Sequence, residues 1–547
     1  DWHETFLPAF HAVLAPSAGR AESTMCSYNT LCVVDNYTDT CPGPSHGVPA
    51  CADRHLLTDL LRDQWGFTGY VIGDAGAIKF IQTDHEWAQD QPHAAADAIS
   101  AGADMSLGGG CSPDNVPAGC ISFGALPNAT SLGLVTMHEI DKALARVLTA
   151  RFKLGLMDPP HINPYTHIDP SVIDSAAHRA LARKAARQSV VLLTNHATLP
   201  LDAAMTSRVA VVGPNAQLKA FGNYNGDNAN YSTVLDGVRA VLPSASYAKG
   251  CDMASNDTSG FAEAVAVAGR AEVVVAVMGL DQSQEYEGGT RTTITLPGVQ
   301  EQFLEAIGQA ADKVIVVLLG GSAMSSPFAA HKAAALLWAG YGGEEAGHAL
   351  ADVLFGRVSP AGRLPITFYA SDDQLPPFGS YDMRRLPGRT FRFLTSPPLF
   401  PFGHGLSYTQ FQYQQLKTPS HIAPCHGLHL SVTVTNVGGV VSDEVVQVYV
   451  SLNTSIASPR IDLVAATRLE TVVPRRAGRE VVLDVAPRHL QVLNEKDRAG
   501  WRWEAGTATV WVGGRQPTVH EVEDGTAEDV LVAHVNLMGP STDCNKP

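Results

Sequence analysis

The run GYVIGD at residues 69–74 constrains the fold more than any other part of this chain. Tyr70, Val71 and Ile72 are residue types that a parallel strand buries on both of its faces. Asp74 then lies where the strand gives way to a loop. A carboxylate is costly inside a barrel, whereas at the carboxyl end of a strand it faces the open mouth. Asp74 is equally suited to cap a following helix, because Asp is a favoured N-cap residue.

A second acidic motif, GLDQSQEYEGGTR at residues 279–291, also follows a strand-like run, residues 273–278. Two carboxyl groups on strand-end loops, one ionised and one holding a proton, are the groups that cleave a glycosidic bond. The alternative is a solvated, Glu-rich surface loop. Glu285 and Glu287 are two residues apart, so on an extended loop they point the same way and their spacing does not separate them.

Composition excludes several classes of function. The chain has 547 residues, enough for about three domains, with 45% hydrophobic and 17% charged residues, as expected for a well-packed globular protein. Its net charge of −16 disfavours nucleic acid and anionic membrane as partners. No apolar run reaches membrane-spanning length.

The nine cysteines include no Cys-x-x-Cys pair, and no cluster of His, Asp or Glu has metal-ligand spacing, so we expect neither a metal nor a cofactor. Three pairs of cysteines are close enough in sequence to join loops: Cys32 with Cys41, Cys111 with Cys120, and Cys26 with Cys51. The sequence does not determine which of these pairs form disulfides.

Glycosylation signals also occur. Five Asn-x-Ser/Thr acceptor sites are present, at Asn36, Asn128, Asn230, Asn256 and Asn453. Together with the cysteines they indicate an oxidising compartment, either secreted and extracellular or a lysosome- or vacuole-like organelle.

In the middle of the chain, strand-like runs alternate with helical stretches: 190–193, 209–213, 273–279, 314–320 and 334–340. This alternation predicts an α/β sandwich on a parallel sheet. After residue 411 the pattern changes to alternating strands separated by turns, at 428–435, 444–451 and 507–512. That pattern predicts a β-sandwich similar to fibronectin type III domains.

A set of further motifs accompanies the two acidic runs, in this order: FLPAF at 6–10, MCSYN at 25–29, GVPACAD at 47–53, WGFTGYVIGD at 65–74, AAADAISAGAD at 94–104, LPG at 296–298, PAGRLP at 360–365, PGRTFRF at 387–393 and PFGHGLSY at 401–408. Together they resemble glycoside hydrolase family 3, particularly its branch of β-xylosidases and α-L-arabinofuranosidases. The resemblance covers nearly the whole chain.

The resemblance implies an α/β multidomain fold with the following parts: the C-terminal part of a (β/α)8 catalytic barrel at 1–158, a linker at 159–183, the α/β sandwich at 184–370, a connecting excursion at 371–410 and the fibronectin type III-like domain at 411–540. Three barrel strands are then present, at 23–27, 69–73 and 103–107, and three strands cannot close a barrel. We therefore expect a companion N-terminal chain, separated by proteolysis and held non-covalently, to supply the first five βα units.

The resemblance also implies residue roles. Asp74 matches the family's nucleophile, and Glu285 lies at its acid/base position, with Glu287 as the rival. Tyr28 matches a residue lining the sugar subsite, although it can also be a tyrosine of the barrel core.

The expected activity is that of a retaining exo-acting β-glycosidase removing terminal β-D-xylosyl residues from xylo-oligosaccharides. A β-glucosidase, an α-L-arabinofuranosidase and a non-catalytic carbohydrate-binding remnant are the competing hypotheses. The family residues that grip the sugar hydroxyls precede this sequence, so the choice of sugar stays open.

Overall fold

The structure, a computed structural model, describes residues 2–16, 19–31, 47–108, 121–226, 230–289, 291–454, 458–494, 500–527, 529–540 and 542–544. The chain forms two units, Asp1–Pro170 and Ser171–Pro547.

The first unit is built on short strands and on helices that pack against them. Its strands are β1 (Ser23–Cys26), β2 (Thr30–Leu31), β3 (Val48–Pro49), β4 (Tyr70–Gly73) and β5 (Met105–Ser106). Its α-helices are α1 (Leu7–Leu14), α2 (Ala77–Thr83), α3 (Gln91–Ala101), α4 (Leu126–Ser131) and α5 (Met137–Lys153), and π-helices cover Trp2–Phe6 and His55–Gln64.

The parallel strands of this unit lie in the order β1-β4-β5. Cys26 is opposite Gly73, and Gly73 is opposite Ser106, so the three strands end at one edge of the sheet. The predicted barrel strands are confirmed, the third being shorter than expected.

Burial along β4 differs from the prediction. Val71 and Gly73 are buried, whereas Tyr70 and Ile72 are only half-buried. The apolar cluster of this unit, which includes Val71, Ile78 and Ile81, packs against one face of the strand. The prediction that β4 is buried on both faces is therefore wrong for the described residues. Side chains alternate between the two faces of a strand, so a strand that is covered on one side buries every second residue.

A disulfide joins Cys26 at the end of β1 to Cys51. This is one of the pairings that sequence proximity left open. The other two candidate pairs, Cys32 with Cys41 and Cys111 with Cys120, lie outside the described residues.

The second unit begins with an α/β sandwich. Its strands are β6 (Val191–Asn195), β7 (Val209–Val212), β8 (Ser246–Ala248), β9 (Val273–Gly279), β10 (Val314–Leu319) and β11 (Ala335–Trp338). Its helices are α6 (Ala176–Ser189), α7 (Val234–Val241), α8 (Phe261–Ala268), α9 (Gln300–Ala310), α10 (Pro327–His331) and α11 (Ala346–Leu354).

The strands of this sheet lie in the order β6-β11-β10-β9-β7-β8. All pairs are parallel except β6 with β11, which is antiparallel, so the prediction of a wholly parallel sheet is wrong at this edge. Valine and leucine are buried in either direction of pairing, and an antiparallel edge strand on a parallel sheet is a common arrangement. Composition therefore did not reveal the direction of β6.

Strand β9 shows why the predicted strands in the middle of the chain are unbroken apolar runs. Val274, Ala276 and Met278 belong to the apolar cluster on one face of the sheet. Val273 and Val277 belong to the cluster on the other face. Helices cover both faces, so the strand needs apolar residues at every position, and its loop emerges at the carboxyl edge of the sheet.

A β-sandwich completes the second unit. Its strands are β12 (Phe411–Lys417), β13 (His421–Ile422), β14 (Leu428–Asn436), β15 (Ser442–Asn453), β16 (Asp462–Val472), β17 (Arg479–Val485), β18 (Val492–Asn494), β19 (Gly500–Trp503), β20 (Gly506–Gly513), β21 (Leu531–Leu537) and β22 (Thr542–Asp543). The short helices α12 (Thr390–Phe393) and α13 (Val519–Asp524) lie before and within it.

Two of its sheets, β12-β14-β17 and β13-β21-β20-β15-β16, enclose one apolar core. The predicted strands at 428–435, 444–451 and 507–512 are confirmed. A disulfide between Cys425 and Cys544, which the sequence analysis did not anticipate, joins residues far apart in this part of the chain. Within the part of the chain that the structure describes, none of the helices has both the length and the apolar character that crossing a bilayer requires.

Candidate active-site residues

Asp74 lies one residue beyond the end of β4. Its backbone N–H donates to the carbonyl oxygen of Cys26 at 3.1 Å, which joins it to the neighbouring strand β1. Its Oδ1 accepts a hydrogen bond from the N–H of Ala75 at 2.6 Å. Helix α2 has Gly76, not Asp74, as its N-cap residue. The half-buried Asp74 side chain is therefore not a helix cap.

Tyr28 lies two residues beyond the end of β1, at the same edge of the sheet as Asp74. Its ring packs against Phe80 with the ring centroids 5.6 Å apart, and its carbonyl oxygen accepts a hydrogen bond from His85 Nε2 at 2.6 Å. Because Cys26 pairs with Gly73, the structure brings Tyr28 and Asp74 to the ends of neighbouring strands.

Glu285 lies on the loop after β9 and is held by groups from two neighbouring strand ends. Its Oε2 accepts from the N–H of Gly321 at 2.8 Å and from the hydroxyl of Tyr341 at 2.6 Å. Its Oε1 accepts from the hydroxyl of Ser322. Gly321 and Ser322 follow β10, and Tyr341 follows β11.

Arg291 supports this arrangement from the far end of the same loop. Its Nη1 donates to Ser322 Oγ at 2.6 Å and to the carbonyl oxygen of Ala323 at 3.3 Å. Burial lowers the pKa of the Arg291 guanidinium, while the charge of Glu285 acts in the opposite direction. Burial, and then the hydrogen bond to Glu285, raise the pKa of the Tyr341 phenol well above its ordinary value, so the phenol remains a donor.

Glu287 is placed differently. It is exposed and accepts a hydrogen bond from the hydroxyl of Tyr224, which is itself 84% exposed. The N–H groups of Gln284 and Glu285 both donate to the carbonyl oxygen of Asp281 at 3.0 Å, so the loop turns before Glu285. The expectation that the two glutamates point the same way assumed an extended loop. Residues 285–288 bend and turn instead, and the N–H of Gly289 donates to the carbonyl oxygen of Tyr286 at 3.1 Å.

A cavity of about 280 Å³ adjoins Tyr341 on the second unit. Phe221, Asn225 and Gln282 are among the residues that line it. The Gln282 side-chain amide donates to the carbonyl oxygens of Phe221 and Gly222, so it joins the loop that carries Glu285 to the segment around Phe221.

Gly321, Ser322 and Tyr341 were not predicted from the sequence. A signal for them was present, because the carboxyl ends of parallel strands meet at one edge of an α/β sheet, where ligands bind. Applying that rule to the ends of β10 and β11, as well as β9, would have selected these three positions.

The predicted glycosylation sites fall mostly on accessible positions. Asn128, Asn230, Asn256 and Asn453 are exposed, and the Asn230 amide donates to Asp174 at 2.6 Å. Asn36 lies outside the described residues. Over the described residues, no three His, Cys, Asp or Glu side chains are grouped so that they could hold a metal ion.

Comparison with known proteins agrees with the resemblance. The family models for the glycosyl hydrolase family 3 N-terminal domain, the glycosyl hydrolase family 3 C-terminal domain and the fibronectin type III-like domain match residues 14–150, 190–408 and 444–516.

Among curated relatives, a probable β-D-xylosidase of Arabidopsis thaliana is 36% identical over 76% of this chain and 52% of its own length. A probable exo-1,4-β-xylosidase of Aspergillus flavus is 34% identical over 89% of this chain and 62% of its own. The chain thus spans about half the length of the plant relative.

Among solved structures, a family 3 exo-β-xylosidase in complex with a xylobiose aziridine activity-based probe superposes with a TM-score of 0.84 at 27% identity, covering 99% of this chain and 69% of that one. A β-glucosidase from Listeria innocua superposes with a TM-score of 0.82 at 25% identity, covering 98% and 70%. With all three domain models matched in order, this chain belongs to glycoside hydrolase family 3.

Proposed function

We propose that this chain carries the two catalytic carboxyl groups of a retaining exo-acting β-glycosidase, which releases terminal β-D-xylosyl residues from xylo-oligosaccharides. The observation that carries the proposal is the arrangement around Glu285, whose carboxyl group is held by donors from two strand ends while Glu287 is exposed on the surface. Asp74, at the end of β4 and not used as a helix cap, supplies the second carboxyl group.

The reaction proceeds by double displacement. In the first step an Asp74 carboxylate oxygen forms a bond to the anomeric carbon, while Glu285 gives its proton to the leaving glycosidic oxygen. In the second step the Glu285 carboxylate takes a proton from water, whose oxygen replaces Asp74 at the anomeric carbon. This chemistry requires the two carboxyl groups to be about 5–5.5 Å apart when substrate is bound.

The names of the curated relatives support xylose as the sugar, because the plant and fungal proteins are both described as xylosidases. The similarity to a β-glucosidase structure keeps glucose as a second candidate. An α-L-arabinofuranosidase of the same family and a non-catalytic carbohydrate-binding remnant are the two hypotheses that compete with these.

Natively purified protein should hydrolyse aryl β-D-xyloside with a kcat/KM at least about tenfold above those for aryl β-D-glucoside and aryl α-L-arabinofuranoside, since a pocket that rejects one hydroxymethyl group discriminates by about 10–200-fold. The measurement is initial-rate kinetics on the three substrates. Highest kcat/KM on the glucoside or the arabinofuranoside would replace the substrate assignment. No turnover of any of them by material that binds xylo-oligosaccharides would favour the binding remnant.

We further propose that a companion chain completes the barrel. Among the described residues, β1 and β5 each pair only with β4, so both have an edge without a strand partner there. The first unit also exposes large apolar side chains, among them Phe10, Val13 and Leu144. Exposed strand edges and apolar patches of this kind are normally covered in native proteins.

The disulfides and the exposed Asn-x-Ser/Thr sites support a secreted or vacuole-like location and glycosylation.

Native mass spectrometry of one sample tests both the companion chain and the glycosylation. We expect a complex heavier than this 58.0 kDa chain, which releases a second polypeptide on denaturation, and a mass for this chain that decreases after enzymatic deglycosylation. A single species at the mass of the polypeptide alone, before and after deglycosylation, would contradict both proposals.

A further inference from the structure

The two oxygens of the Glu285 carboxyl group have different surroundings. Oε2 accepts two hydrogen bonds, from the N–H of Gly321 at 2.8 Å and from the hydroxyl of Tyr341 at 2.6 Å. Oε1 accepts one from the described residues, the hydroxyl of Ser322. A carboxylate oxygen has about two acceptor positions, so within the described part of the chain Oε2 is saturated and Oε1 keeps one position free.

The direction of the Ser322 hydroxyl follows from its other partner. Arg291 Nη1 donates to Ser322 Oγ at 2.6 Å, and a guanidinium cannot accept a hydrogen bond. The Ser322 proton is therefore available to Oε1, while one of the two lone pairs on its oxygen accepts from Arg291. The described hydrogen bonds of Arg291 go to Ser322 and Ala323, so this cation orients the serine that donates to Glu285.

We infer that Tyr341 is a positioning residue, which together with Gly321 saturates Oε2 so that Oε1 is the oxygen that gives its proton to the leaving group. This inference rests on the acid/base role proposed for Glu285. Tyr341 acts through the carboxyl group: it fixes the plane of the group and leaves one oxygen free to carry the proton. A general acid whose proton can reside on either of two oxygens delivers it in the correct direction only part of the time.

The Tyr341→Phe variant removes only the hydroxyl and tests this inference. With aryl β-xylosides whose phenols are poor leaving groups, kcat/KM should fall about tenfold, the size expected from one hydrogen bond to a charged group. With a dinitrophenyl leaving group, which needs no proton, it should stay within about twofold of the wild type. The matched control is Tyr165→Phe, at a tyrosine that is 72% exposed, and this variant should change neither value.

An equal loss of kcat/KM on good and poor leaving groups would overturn the inference, because a merely structural role lowers all rates together. No loss on either would overturn it as well. Glu285→Ala, measured on the same substrates, separates the two hypotheses. If Glu285→Ala shows the leaving-group dependence and Tyr341→Phe does not, only the inference fails, and if Glu285→Ala does not show it, the proposed function fails too.

Ser322→Ala provides a second test in case Tyr341→Phe does not fold. It removes the donor at Oε1 while both anchors of Oε2 remain. Its loss of kcat/KM on poor leaving groups should therefore stay below about threefold, the low end of what one hydrogen bond contributes, because Oε2 still fixes the plane of the carboxyl group. A loss equal to or larger than that of Tyr341→Phe would overturn the inference. A loss as large as that of Glu285→Ala would mean that Oε2 is not the anchored oxygen.

Discussion

Replacing Asp74 with Asn should lower kcat on aryl β-xylosides by on the order of 10⁵-fold, because an amide of the same shape cannot form the proposed glycosyl-enzyme intermediate. The measurement is the initial rate on the dinitrophenyl xyloside, where protonation of the leaving group is not needed and the loss reports the nucleophile alone. Asp63→Asn is the matched control, at an exposed carboxylate of the same unit, and it should leave kcat unchanged.

The stereochemistry of azide products distinguishes a lost nucleophile from general damage. In Asp74→Gly, azide can occupy the space of the carboxylate and attack the anomeric carbon directly, so any product should be the inverted α-glycosyl azide. The anomer can be read by proton NMR of the product. A retained β-glycosyl azide from this variant would show that another group forms the intermediate.

Replacing Glu285 with Ala should lower kcat/KM by about 10²–10⁴-fold for substrates with poor leaving groups and spare those with good ones, because general acid catalysis contributes that much only where the leaving oxygen must be protonated. Added azide should restore turnover and give the retained β-glycosyl azide, since it attacks the intermediate without a general base. The measurements are kcat/KM across a series of aryl xylosides, which reports the protonation step, and kcat on the dinitrophenyl xyloside with and without azide, which reports attack on the intermediate.

Glu287→Ala is the matched control for this variant, since the same change is made two residues later in the same loop. Glu287 is exposed and bonded to an exposed tyrosine, so its loss should leave the leaving-group dependence as in the wild type. If Glu287→Ala shows the selective loss and azide rescue while Glu285→Ala does not, the roles of the two glutamates must be exchanged.

The sequence predicted the elements of the fold well where burial dictates residue type. Strand β9 needs apolar side chains on both faces, so it is visible as an unbroken run from Val273 to Met278. Strand β14 is visible for the corresponding reason, since Leu428 and Leu430 are buried while His429 between them is exposed. Asp74 was selected as a candidate because it is a carboxylate just after the apolar residues Val71 and Ile72.

Strand pairing and disulfide pairing were not predictable from residue type in this way. The antiparallel pairing of β6 and the Cys425–Cys544 disulfide depend on which segments meet in three dimensions. Proximity in sequence suggested Cys26 with Cys51 only as one of several pairings, and the structure places their Cα atoms 5.2 Å apart, joined by a disulfide.

The sequence by itself determined which residue types this chain places at its strand ends, and thereby the family and the chemistry expected of it. Only the tertiary structure shows how differently Glu285 and Glu287 are held, because the difference lies in the donors that surround each carboxyl group. Those donors, from Gly321, Ser322 and Tyr341, come from strands that follow β9 in the chain and reach Glu285 only because parallel strands end at one edge of the sheet.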